Sequence, residues 1–84
     1  MEHDQGAHLV RMVNQIATNL SHERDAATRV RVHLEKFWAR SMKQRLIACL
    51  DDPGHKLTPL AHEAVKHLAG REAEKSHASS SAHQ

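Results

Sequence analysis

Apolar residues recur at helical spacing in four short runs of this chain, and no stretch alternates as a half-buried strand requires. In the first run Leu9, Met12, Val13, Ile16, Ala17 and Leu20 follow the i, i+3, i+4, i+7 pattern of an amphipathic helix. Asn14 and Gln15 fall at the opposite edges of that arc, outside the middle of any core. Ala27, Val30, Leu34, Phe37 and Trp38 form the second stripe, within about 100° on an ideal wheel, while Val32 points the other way. Met42, Leu46, Cys49 and Leu50 make a third face, and Leu60, Ala64, Val65 and Leu68 a fourth. The fold class expected is all-α, a small bundle of three or four helices.

Polar residues punctuate these stripes. Ser21 and Asp25 are both candidate caps for the second helix. Ser41-Met42-Lys43-Gln44 has the form of a capping box and predicts a third helix beginning there, joined to the second by a kink or tight turn. Asp51-Asp52-Pro53-Gly54 is a stop signal. Thr58 then caps a fourth helix with Pro59 at its first position, and Gly70 closes it. From Arg71 to Gln84 no large apolar residue occurs, so this tail is expected to be disordered. The expected organisation is a flexible N-terminus over 1–7, a helical domain over 8–70 and the tail over 71–84.

At 84 residues the chain makes one domain at most. A body of this size buries only about 60% of the surface its unfolded chain exposes. Phe37 and Trp38 are its only aromatic side chains apart from histidine, so the core must come from smaller residues. Cys49 is the single cysteine, which excludes an internal disulfide and reads as a small buried hydrophobe. The polar start, Met1 to His8, lacks the basic and apolar segments of a secretory signal. No stretch approaches the roughly 18 apolar residues of a membrane span. A cytoplasmic location without membrane contact is expected.

Nine histidines raise the question of metal binding. The closest helical pair, His62 and His67, is five residues apart and diverges, so no ligand set converges and no metal site is expected. Gly6, Gly54 and Gly70 are too scattered to cradle a phosphate. No nucleophile or acid–base motif is present, and no catalytic residue is assigned. Seven basic residues between Arg24 and Arg45 stand against Asp25 and Glu35, a local excess of +5. That excess keeps a basic helical nucleic-acid-binding module as the alternative. A protein-binding adaptor fits better. Adjacent apolar residues (Met12-Val13, Phe37-Trp38, Leu46-Ile47) widen the stripes beyond what one small core covers, and Trp, Met and Arg favour interfaces.

Three motifs sharpen this reading: Met12-Val13-Asn14-Gln15-Ile16-Ala17, His33-Leu34-Glu35-Lys36-Phe37-Trp38, and Met42-Lys43. Together they resemble the delta subunit of NAD-dependent, molybdenum- or tungsten-containing formate dehydrogenases, from about Leu9 to Leu68. One departure stands at the corner after Trp38. The family usually has Pro two residues after the Trp and Arg just before the Met, where this chain has Arg40 and Ser41.

The resemblance implies a small accessory polypeptide that assists assembly, cofactor insertion or stability of a cytoplasmic enzyme complex. Its partner would be the large subunit. Molybdopterin, iron–sulfur, flavin and NAD would belong to the larger subunits, with no cofactor bound by this chain. By residue type Phe37 suits the core, and Trp38 suits core and interface equally. On the basis of the resemblance Phe37 and Met42 are expected to fix the corner and are counted among the partner-binding residues. Trp38 is expected to anchor the contact, and Asn14, Gln15 and His33 to offer directional hydrogen bonds at its edge. Arg40, Lys43 and Arg45 are the candidates for electrostatic contact with an acidic partner or a pterin dinucleotide phosphate.

Overall fold

The computed structural model describes the backbone of residues 5–52 and 54–82, and side chains over 5–52 and 54–74. Four helices follow in order: α1 (Gln5–Leu20), α2 (Ala26–Phe37), α3 (Arg40–Ala48) with a 3-10 turn at Cys49–Asp51, and α4 (Pro59–Ala82). The fold is all-α, as the apolar spacing predicts. Val13, Val30, Leu34, Leu46, Val65 and Leu68 are fully buried, so each of the four stripes contributes to one core. Helix α2 lies chiefly against α4, with α1 as its second neighbour.

Local chemistry explains the boundaries. Ser21 closes α1, its hydroxyl donating to the Thr18 carbonyl at 2.9 Å. Asp25 starts α2 from a left-handed conformation (φ 56°) that aspartate tolerates better than most residues, and its carbonyl accepts the first helical hydrogen bond from Arg29. Thr58 caps α4 as expected. Its Oγ1 accepts from the Ala61 N–H at 3.2 Å, and Pro59 is the first helical residue. Pro53, central to the expected stop, lies outside the described residues.

Three boundaries differ from the sequence expectation. Helix α1 already includes Gln5, Gly6 and Ala7. At Gly6 a Cβ would sit 3.1 Å from Cys49 Sγ and 3.2 Å from the His55 ring, so the first turn of α1 packs tightly on the α3–α4 connection. Residues 1–4 lie outside the described residues.

The Ser41 capping box does not form. Helix α3 begins at Arg40 with Ala39 as its cap, and Ser41 is already inside the helix. The break comes instead from two extended residues, Trp38 (φ −97°, ψ 138°) and Ala39 (φ −63°, ψ 154°). Arg40 therefore occupies the first helical position, where proline is well tolerated, and Ala39 already has the conformation that a following proline favours. An arginine at position 40 leaves the corner intact.

Gly70 does not end α4. It lies within the helix with open space around it, and its φ is not positive. A mid-helix glycine costs roughly 1 kcal/mol relative to alanine. Ion pairs from the next two residues to α2 and α3 offset that cost (below). The tail expected to be disordered from Arg71 starts later than that: α4 carries Arg71 and Glu72 into ion pairs with α2 and α3, and from residue 75 on the side chains lie outside the described residues.

Candidate partner-binding surface

Of the two aromatic neighbours, Trp38 takes the place in the core and Phe37 the place on the surface. Trp38 is 8% exposed and belongs to the core, whereas Phe37 is 72% exposed. The reason lies in the end of α2. Val30, Leu34 and Trp38 follow one another at i+4, and the turn to extended backbone at Trp38 folds its indole inward beneath the corner. Phe37 is the last helical residue and sits at the far edge of the stripe, beyond the cover of its neighbours. Among the described residues it is the one large apolar side chain left exposed. The surplus expected at Met12 and Ile47 is absent, since both pack half-buried on the core.

His33 stands one turn before Phe37, half-buried, with ring centroids 4.9 Å apart and planes tilted by 47°. The two rings edge a groove of about 510 Å³ on the face of α2 turned away from the core. Leu20 and Val32 contribute its apolar floor, and Arg24, Arg29 and Lys36 its charged rim. The sequence gives no reason to single out Arg24, Arg29 or Lys36 as site residues. Their signal was only the basic run, which does not say which cations share a face.

Other sequence candidates have internal duties. Asn14 Nδ2 donates to the Lys56 carbonyl and Asn14 Oδ1 accepts from the Thr58 N–H, both at 2.9 Å. These bonds clamp the chain entering α4 onto α1, so the hydrogen bonds expected to face a partner are made within the fold. Gln15 is exposed and its amide donates to Asn19 Oδ1 at 3.1 Å. Met42 is half-buried against the core and lines a smaller hollow with His8 and Arg45.

Lys43 is not available as an exposed contact either. It is 8% exposed and its Nζ lies 3.5 Å from Glu72 Oε2, a pair shielded on both sides. A neighbouring cluster ties α2 to α4. Glu35 accepts from Arg31 at 2.8 Å and from Arg71 at 2.9 Å. Burial pushes the Glu35 carboxyl up, but the two guanidinium groups outweigh it and hold the carboxyl below its ordinary range. Arg40 and Arg45 remain exposed. The basic run is thus sorted: Arg31 and Lys43 pair with carboxylates of the fold, and among the described residues no carboxylate engages Arg24, Arg29 or Lys36.

Cys49 is buried, with its thiol donating to the Arg45 carbonyl at 3.4 Å. His55 Nδ1 lies 2.8 Å from Asp52 Oδ2. Among the described residues no three His, Cys, Asp or Glu side chains converge as a metal site would require, and no helix is long and apolar enough to cross a membrane.

The family model for the NADH-dependent formate dehydrogenase delta subunit, FdsD, matches residues 8–65. The chain belongs to that family. The matched span holds α1 almost entire, the corner between α2 and α3, the Asn14 clamp and the first turns of α4. Arg71 and Glu72, which tie α4 to α2 and α3, lie beyond it. No curated protein and no solved structure matches the chain.

Proposed function

We propose that this delta-family chain is a non-catalytic accessory subunit of a cytoplasmic, NAD-dependent formate dehydrogenase. In this reading it supports assembly, cofactor insertion or stability of the active complex through direct contact with the large subunit. The molybdopterin, iron–sulfur, flavin and NAD chemistry stays in the larger subunits.

One observation carries the proposal: Phe37, within the span that the family model matches, is 72% exposed while every neighbouring large apolar side chain is at least half covered. An exposed phenylalanine beside a half-buried histidine has no task in the core, and aromatic anchors commonly dominate protein interfaces. Phe37 is the anchor and His33 stands beside it. Trp38 and Met42 act behind the surface by holding the corner. Arg40, Arg45 and Gln15 are exposed and able to meet a partner at the rim, where single contacts contribute little.

Coexpression tests this reading. The large subunit, produced with the tagged wild-type chain, should copurify with it and give more active enzyme than when produced without it. Phe37→Ala should weaken the association by about 2 kcal/mol, roughly thirtyfold, with the variant still folded. Equal yields of active enzyme with and without the chain, and no retained large subunit, would overturn the proposal.

A further inference from the structure

We infer that the groove on the outer face of α2 receives an acidic segment of the partner polypeptide, with Phe37 as its apolar anchor and Arg24, Arg29 and Lys36 as its cationic rim. This deepens the accessory-subunit reading and rests on it.

The fold distinguishes these three cations from others in the same basic run. Arg31 and Lys43 lie against carboxylates supplied by α2 and α4. Arg24, Arg29, Lys36, Arg40 and Arg45 engage no carboxylate among the described residues, and of these five Arg24, Arg29 and Lys36 border one concavity. Asp25 is the only acid lining it, so the groove is net positive. Isolated surface cations are ordinary. Three of them around an exposed phenylalanine and an apolar floor of Leu20 and Val32 form a surface with two demands: negative charge at the rim and an apolar side chain at the centre.

Length and charge count favour a protein segment over nucleic acid. The twelve residues of α2 span about 18 Å, matching three turns of helix or a short extended peptide. Proteins that hold nucleic acid through its backbone commonly neutralise on the order of 6–10 phosphates. Three cations offset by Asp25 fall well short of that. Phe37 also has His33 tilted against it, which takes up part of the ring that a base would stack on.

The test uses the full chain and the purified large subunit as the probe. Arg24→Gln/Arg29→Gln/Lys36→Gln should weaken binding by roughly tenfold or more at low salt, and added salt should reproduce much of that loss in the wild type. Arg11→Gln/Lys56→Gln/Lys66→Gln removes the same number of exposed cations elsewhere on the surface and should bind like the wild type. A photo-crosslinker at position 36 should label a segment of the large subunit rich in Asp and Glu. Thermal melts of both triple variants should match the wild type, because every altered side chain is exposed.

If the wild type binds but the groove variant binds equally well, or both triple variants lose binding alike, the groove assignment is wrong and the accessory reading stands. Crosslinks confined to a segment without acids, or duplex DNA displacing the large subunit from the groove, also overturn the assignment. Failure of the wild-type chain to bind the large subunit at any salt concentration sinks both.

Discussion

The two faces of α2 are made from neighbouring residues and have opposite fates. Its inner face carries Val30, Leu34 and, just past the helix end, Trp38, all dry. Its outer face carries Arg29, Val32, His33, Lys36 and Phe37, open to water along a groove. Phe37 and Trp38 are adjacent in sequence and differ in exposure by a factor of about nine, 72% against 8%. Hydrophobicity does not separate them. What separates them is which side of the helix end the backbone turns toward. The inner face holds the bundle together, and the outer face is left for something else.

That contrast makes quantitative claims. The largest effect is expected at the inner face: Trp38→Ala should destabilise the chain by about 3–5 kcal/mol, the usual cost of deleting a large buried aromatic. A domain this small has little margin, so thermal denaturation should show a transition tens of degrees lower or none at all. A near-native melting curve would show that Trp38 is not part of the core.

Next comes the clamp between α1 and the entry to α4. Asn14→Ala removes one acceptor and one donor, leaving the Thr58 N–H and the Lys56 carbonyl without their partner. The expected loss is roughly 1–3 kcal/mol by urea denaturation, with faster amide exchange at Thr58. Unchanged exchange at Thr58 would mean that the bond to Asn14 does not hold that segment.

The Glu35 cluster should have a smaller effect that depends on pH. Burial raises its carboxyl, but the two guanidinium groups outweigh that and hold it below its ordinary value. The stability it contributes is therefore fully present above that value and is lost as pH falls through the lowered one. Glu35→Gln should cost about 1 kcal/mol at neutral pH, since Arg71 is half exposed and water weakens the pair. The variant should also lose less stability than the wild type between neutral pH and about pH 2. Parallel acid-denaturation curves would remove Glu35 from that role.

The smallest effect on stability belongs to the outer face. Phe37→Ala should change folding stability by less than about 0.5 kcal/mol, because the ring is already in water, while it weakens the proposed association with the large subunit. A large fall in melting temperature would erase the distinction between the two faces.

Apolar spacing made the four helices legible, because a 3.6-residue repeat depends only on neighbours in the chain. The Thr58-Pro59 start was readable for the same reason: cap and capped group lie within one turn. The Ser41 box misled because a favourable local pattern was overridden by the extended residues at Trp38 and Ala39. Gly70 misled because the compensating contacts, Arg71 with Glu35 and Lys43 with Glu72, join residues about thirty or more positions apart. Of the site candidates, His33 and Phe37 meet on one surface, while Asn14 and Lys43 are drawn into the fold by distant partners.

By itself the sequence determined the helical class, the number of stripes, the lone cysteine's place in the apolar pattern and the motifs of the delta-subunit family. These depend on residue type and near-neighbour spacing. Tertiary structure alone decided which of two adjacent aromatics is buried, which cations are matched by carboxylates and which are left around a groove. Burial and charge pairing depend on what arrives from elsewhere in the chain, and a linear pattern of cations and rings carries no record of the helix that will pack against it.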